Sequence, residues 1–381
     1  MTRLFDPLSI RGATIRNRVG LSPMSMYSAN DGHSGPFEPI HYGARAMGGA
    51  GLVFTGTAAV SPEGRITPVD PGLWDDAQIA PLAAVAEAIR QGGGTPGIQI
   101  GHAGRKASTT VPWQGGAPKS DGRSLTAAEG AWQTVAPVAE AYGGNKTHMP
   151  EALDDAGITR IIAAFADAAR RADAAGFDVL ELHGAHGYLL HGFYSPITNR
   201  RRDAWGGDFE ARTRLTREVI RAVRAVWPAT KPLALRFAMD DFYAGGWAPE
   251  DGIALAKMAV AEGVDILDPM SFGGIAEGGA ADWSRNFTAD HAAALKDALP
   301  HAVIVGSAQT APGFDTDAQA VDALVADGPF DAVLLGRQLL ADPNWPANAA
   351  RALGDDRLLL PANYEHWLTG RVADVQANLA A

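Results

Sequence analysis

The stretch GFDVLELHGAHGYL, residues 176–189, places a short apolar run directly before two histidines three apart and a tyrosine two further on. The run FDVLELH at 177–183, bounded by glycine, reads as a strand buried on both faces. The polar cluster then falls at its C-terminal end. Seven runs of the same kind recur: VGLSPM (19–24), GLVFTGT (51–57), TPGIQI (95–100), PLALRF (232–237), VDILDPM (264–270), AVIVGS (302–307) and DAVLLGR (331–337). Helical spacing separates them. Ile79, Leu82, Val85 and Ile89 form one apolar stripe that stops at Gly92; Ile158, Ile161, Ile162, Phe165, Ala168 and Ala172 form a second; Leu215, Val219, Val223 and Val226 form a third. Alternating strand and helix builds βα units around a parallel sheet, and eight such strands close a barrel. The expected fold class is therefore α/β, a single (β/α)8 TIM barrel domain over residues 1–381. A doubly wound open sheet is the competing arrangement.

Two strand-to-helix connections are long: 101–153, rich in Gly, Pro and Thr, and 184–207. On a barrel they rise from the C-terminal face, where loops beyond about 12–15 residues serve as lids or binding loops. A lid or capping insertion is expected at about 101–153, and a C-terminal extension at about 355–381.

Composition narrows the function classes. The chain has 46% hydrophobic and 20% charged residues, an ordinary globular balance. Cysteine is absent, which removes disulfides, thiolate metal sites and a thiol nucleophile together. A formal net charge of −11 repels nucleic acid and anionic membranes, so a small-molecule partner is expected. No segment approaches the roughly 18 uninterrupted apolar residues of a membrane span, and the N-terminal stretch has no signal-like run; a cytoplasmic location is expected. Several motifs fail on context. GGGTPG at 92–97 fits the dinucleotide pattern but precedes a strand instead of opening a helix. No Gly-Lys pair permits a P-loop, and no His-Glu-x-x-His zinc motif occurs.

The C-terminal strand ends are Thr57, Gln99 with His102, His183 with His186, Arg236, Gly306 with Ser307, and Gly336 with Arg337. They are the residues that face a barrel's active site. Glycine followed by a hydrogen-bonding residue at both of the last two strands points to a phosphate-bearing ligand, with Arg337 as a charge clamp. Gln99 suits the edge of a pyrimidine-like ring, and Arg236 a ring that becomes anionic when reduced. Flavin mononucleotide, FMN, has all these features. His183 and His186 are then metal ligands with Asp268 as a candidate third, a polar pair for a substrate, or structural histidines.

The chain resembles the Old Yellow Enzyme family of flavin-dependent ene-reductases, in its thermophilic-like bacterial branch. The likeness rests on SPM-x-MY at 22–27, GRITP at 64–68, IQIGHAGRKA at 98–107, HGAHGYLLHGFYSPITNRR from 183 with GG at 206–207, and GR at 336–337. It covers essentially the whole chain. The resemblance implies an FMN barrel that takes hydride from NADPH or NADH and reduces the activated C=C bond of α,β-unsaturated carbonyl compounds such as enones. It implies that Pro23, Met24, Ser25, Thr57, Gln99 and Arg236 line the flavin ring, and that Gly306, Ser307, Gly336 and Arg337 hold its phosphate. His183 and His186 would grip the substrate carbonyl, with Tyr188 as proton donor and no metal. Tyr27 would form an aromatic wall, Arg105 would contact substrate or the nicotinamide phosphates, and Trp283 would line the pocket or pack beneath it. A homodimer or homotetramer is implied as well. The alternatives are a related enoate or dienoyl reductase, or a metal-dependent barrel hydrolase using His183 and His186.

Two positions depart from the family pattern. Many relatives carry cysteine where this chain has Ser25, and serine cannot become a thiolate at neutral pH. Relatives also have an arginine after Tyr-Glu that reaches into a neighbouring subunit; here His366 follows, which is shorter and only partly charged at pH 7.

Overall fold

The structure is a computed structural model, described over residues 3–114, 122–271, 286–307, 317–357 and 359–369. Eight strands occupy the eight apolar runs: β1 (Val19–Leu21), β2 (Leu52–Phe54), β3 (Thr95–Gly101), β4 (Val179–Gly184), β5 (Leu233–Ala238), β6 (Ile266–Met270), β7 (Val303–Ser307) and β8 (Ala332–Leu335). Each pairs in parallel with the next in sequence. Val333 of β8 pairs with Val19 of β1 and closes the ring. The open doubly wound sheet is thereby set aside.

Around it run α1 (Phe37–Met47), α2 (Ile79–Gln91), α3 (Asp155–Ala174), α4 (Phe209–Arg224), α5 (Pro249–Ala261), α6 (Phe287–Ala298), α7 (Ala318–Ala326) and α8 (Trp345–Ala352). The three apolar stripes read from sequence lie on α2, α3 and α4, although Val226 falls just past the end of α4. Asp154 and Asp208 accept the Gly157 and Ala211 amides and fix where α3 and α4 begin, each cap being worth about 1 kcal/mol.

Strand parity separates two cores. Outward residues such as Leu180, Leu182, Leu235 and Val333 join the helices in the main cluster, with Ile158, Ile161 and Phe165. Inward residues Leu52, Phe54, Val179, Ala234, Ile266, Val305, Ala332 and Leu334 form a second cluster, completed by Leu8, Ile10 and Ile15. Those last three belong to an antiparallel hairpin, Leu8–Ile10 with Ala13–Ile15, that plugs the N-terminal end of the barrel. With one end filled by apolar side chains, polar inward positions are left to the C-terminal half.

Two strands end earlier than their apolar runs. β1 stops at Leu21 because Pro23 has no N–H to extend the ladder. β2 stops at Phe54; a Cβ on Gly56 would stand 2.4 Å from the Met24 carbonyl oxygen, so the loops after β1 and β2 pack backbone to backbone. Pairing with β3 resumes at Ala58–Ala59.

Candidate active site

On β4 the inward parity that places Val179 in the lower core continues through Glu181 to His183. The same parity on neighbouring strands brings Gln99, Arg236 and Asp268 to the barrel interior, all buried. They form one bonded layer. Thr57 Oγ1 donates to Gln99 Oε1, and Gln99 Nε2 donates to Glu181 Oε1 at 2.7 Å. Arg236 donates from Nε to Asp268 Oδ2 at 2.7 Å and from a terminal nitrogen to Ser22 Oγ at 3.0 Å. A fixed cation and a primary amide thus lie at the floor of the C-terminal mouth.

His183, His186 and Tyr188 converge above that floor. Ring centroids are 5.0 Å apart for the two histidines and 4.7 Å apart for His183 and Tyr188. His183 Nδ1 accepts the Ala185 amide at 3.2 Å, so this ring carries its proton on Nε2, which stands 3.1 Å from His186 Nδ1. His186 in turn carries its proton on Nε2. Burial, reinforced by the charges of Arg236 and Lys106 and by the neighbouring histidines, pushes both rings well below the ordinary imidazole range. Both are neutral donors at pH 7. His186 has φ +58°, a left-handed conformation costing on the order of 1 kcal/mol or more for a residue with a Cβ.

Lys106 and Arg105 sit in the loop after β3, and both are buried. Lys106 Nζ donates to the His186 carbonyl at 2.9 Å and lies over the rings of Tyr142 and Tyr188 at 4.8 and 5.4 Å. Arg105 lies over Tyr142 at 5.4 Å, and burial pulls its pKa down. Neither belongs to a solvated loop. Tyr27, with φ +54°, packs edge-on against Trp113 at 5.6 Å. Trp283 lies outside the described residues.

The loop after β1 carries Pro23, Met24 and Ser25. Met24 Sδ lies where a Cβ on Gly336 would come within 3.2 Å, so this loop meets the end of β8. Gly336 caps the short helix Arg337–Ala341. Arg337 is exposed and has no acidic partner among the described residues. Ser307 is half-buried at the end of β7. Gly306 has a packing reason to be glycine: its Cβ would stand 2.5 Å from the Phe330 ring. Its backbone still lies at the strand end.

Asp268, the candidate third metal ligand, is bound to Arg236 instead. Among the described residues, no group of three or more His, Asp or Glu side chains is placed to hold a metal ion. His102 accepts the Gly104 amide on Nδ1, and burial lowers its pKa to about 4, as for a loop anchor. One contributor escaped the reading of strand ends, Glu181. Parity could have found Glu181, which shares a face with His183.

A closed (β/α)8 barrel with neutral hydrogen-bond donors, an arginine and an amide at its C-terminal mouth is a small-molecule enzyme of the flavin-oxidoreductase kind. The family model for the NADH:flavin oxidoreductase / NADH oxidase family matches residues 3–356. An NADPH dehydrogenase from Halalkalibacterium halodurans is 35% identical over 369 residues, 96% of this chain and 99% of that protein. One from Bacillus cytotoxicus is 37% identical over 355 residues, 93% of each. Among solved structures, morphinone reductase is 28% identical with a TM-score of 0.73, covering 92% of this chain and 89% of that one. An Old Yellow Enzyme homologue from Zymomonas mobilis is 26% identical with a TM-score of 0.72, covering 93% of each. The chain belongs to the NADH:flavin oxidoreductase / NADH oxidase family, an FMN-dependent NAD(P)H oxidoreductase of the Old Yellow Enzyme type. The residues present fit FMN: Gln99 and Arg236 form a polar floor, and Arg337, without an acidic partner among the described residues, follows Gly336 just past β8.

Proposed function

We propose that this protein is an ene-reductase acting on enones and related activated alkenes, with NADPH or NADH as electron donor. The observation that carries the reading is the neutral pair of buried His183 and half-buried His186, with Tyr188 beside it, above the Gln99–Arg236 floor. FMN, when bound, supplies the two-electron carrier between nicotinamide and alkene. Pro23, Met24, Ser25, Thr57, Gln99 and Arg236 would hold its ring, and Gly306, Ser307, Gly336 and Arg337 its phosphate.

A carbonyl oxygen arriving at the histidines would take the N–H of His186 Nε2 and that of His183 Nε2, the latter in place of the bond between the rings. Two donors then face the charge that develops on that oxygen as hydride reaches the β-carbon; removing one such donor typically costs on the order of 10²-fold or more. Tyr188 gives its proton to the α-carbon. Lys106, tied to the His186 carbonyl, steadies the loop and adds a positive field over the Tyr188 ring. Tyr27 and Arg105 shape the mouth of a single barrel domain, and Tyr142, from the described part of the 101–153 connection, packs over Arg105 and Lys106 there.

Cytoplasmic residence agrees with the described helices, none of which is long and apolar enough to cross a membrane. Exposed Trp367 beside His366 supports a homodimer or homotetramer joined through the C-terminal segment. Replacing His183 and His186 together by alanine tests the central role. Phenol and enone binding should weaken at least tenfold while FMN stays bound; unchanged binding and turnover would reject it.

A further inference from the structure

The reaction outlined above makes no use of two carboxyl groups inside the barrel. Glu181 on β4 and Asp268 on β6 are fully buried, on either side of β5 and its Arg236. One oxygen of each is accounted for: Glu181 Oε1 accepts from Gln99, and Asp268 Oδ2 accepts from Arg236. Glu181 Oε2 and Asp268 Oδ1 have no donor. Yet the two carboxyl groups are within hydrogen-bonding contact of one another. Two carboxylates cannot face each other without water and both stay ionised. A single proton between the two orphaned oxygens satisfies both.

The neighbours decide which group keeps that proton. Asp268 takes the charged bond from Arg236, whereas Glu181 takes only a neutral amide. Around the pair stand Arg236 from β5, Gln99 from β3 and the neutral ring of His183 from β4; among the described residues no second cation reaches Glu181. We propose that Glu181 is a neutral carboxylic acid donating its Oε2 proton to Asp268 Oδ1, a positioning residue that orients the Gln99 amide and keeps surplus negative charge away from the reduced cofactor. The inference rests on the FMN reading only in its second clause. Burial, and then the charge of Asp268, raise the Glu181 carboxyl above its ordinary range, in the same direction.

The chain of bonds becomes directional. Gln99 donates to the Glu181 carbonyl oxygen, Glu181 donates to Asp268, and Arg236 donates both to Asp268 and to Ser22. Gln99 has its Nε2 held by Glu181, so its Oε1 is left toward Thr57. An ionised Glu181 would instead place a second negative charge on the floor where the cofactor gains one on reduction.

The test has two parts. In apoprotein labelled with ¹³Cδ-glutamate, a carboxyl resonance at the protonated-acid position should be present at pH 7 and vanish in Glu181→Gln. Absence of any such resonance from the wild type overturns the proposal, whether or not the variant folds. In FMN-loaded protein, Glu181→Gln replaces one neutral group by another, so the ratio of affinities for reduced and oxidised FMN should stay within about threefold. Asp268→Asn removes the real charge and should shift that ratio about tenfold or more toward reduced FMN, ~30 mV upward on a two-electron couple. An equal upward shift in Glu181→Gln would mean that Glu181 is ionised, and would also overturn the proposal. Failure of the apoprotein to take up FMN would reject the cofactor assignment while leaving the resonance in place.

Discussion

His191 Nε2 stands 2.8 Å from Asp241 Oδ1, while Nδ1 of the same ring accepts the Gly187 amide at 2.9 Å. Gly187 lies between His186 and Tyr188, so the buried imidazole ties the loop after β4 to the residue three beyond β5. Asp241 also accepts from Ser195 Oγ at 2.6 Å and from the Trp247 amide at 2.9 Å. The second anchor of the loop is Lys106 on the His186 carbonyl. Together they hold His186 in its left-handed conformation.

Replacing Asp241 by asparagine keeps the shape and removes the charge. Burial alone would raise the Asp241 carboxyl, but His191 and the bonds from Ser195 and Trp247 outweigh it and hold the group below the ordinary carboxylate range. A depressed folded pKa contributes stability that is present above about 3.9 and lost as pH falls through the lower folded value. Asp241→Asn should therefore lower unfolding free energy at pH 7 by about 2 kcal/mol and lose less of it below pH 4 than the wild type does. Denaturant titrations from pH 3 to 7 measure both. Equal acid sensitivity in the two proteins would contradict the assigned role.

Tyr188→Phe separates the half-reactions. Reoxidation by enone should slow by about 10²-fold or more, the order expected for loss of a general acid, with reduction by NADPH nearly unchanged. Stopped-flow absorbance follows each half alone. Equal slowing of both would remove Tyr188 from proton delivery.

Arg337→Ala should weaken FMN binding about tenfold to a hundredfold, the range of a lost charge-assisted bond of about 1.5–3 kcal/mol. Riboflavin, which has no phosphate, should bind the variant as it binds the wild type. Equal losses for both ligands would place Arg337 elsewhere than at the phosphate.

Ser25 offers a gain instead of a loss. Ser25→Cys introduces a group able to ionise beside the cofactor, and should change the flavin midpoint potential and spectrum without abolishing turnover. Identical potentials in the two proteins would show that this side chain does not face the flavin.

The barrel was legible because each strand is buried on both faces and so reads as an unbroken apolar run between glycines and helical stripes. The N-terminal hairpin was not, since LSIRGATI is too short and mixed to stand out from a loop. Reading only strand ends found His183 and Arg236 but passed over Glu181, an acidic residue inside an apolar run whose inward parity is its only signal. The burial of Arg105 and Lys106 was not legible, because both lie over the ring of Tyr142, some 40 residues away in sequence. A Cβ at Gly306 would also meet the Phe330 ring, a contact between elements that a single strand cannot announce.

The visible absorption spectrum of the purified protein, taken before and after anaerobic NADPH and then 2-cyclohexenone, tests the account at its centre. A flavin band that bleaches with NADPH and returns with the enone is the predicted result. A colourless protein that takes up no added FMN, or a reduced flavin that the enone leaves bleached, would contradict it.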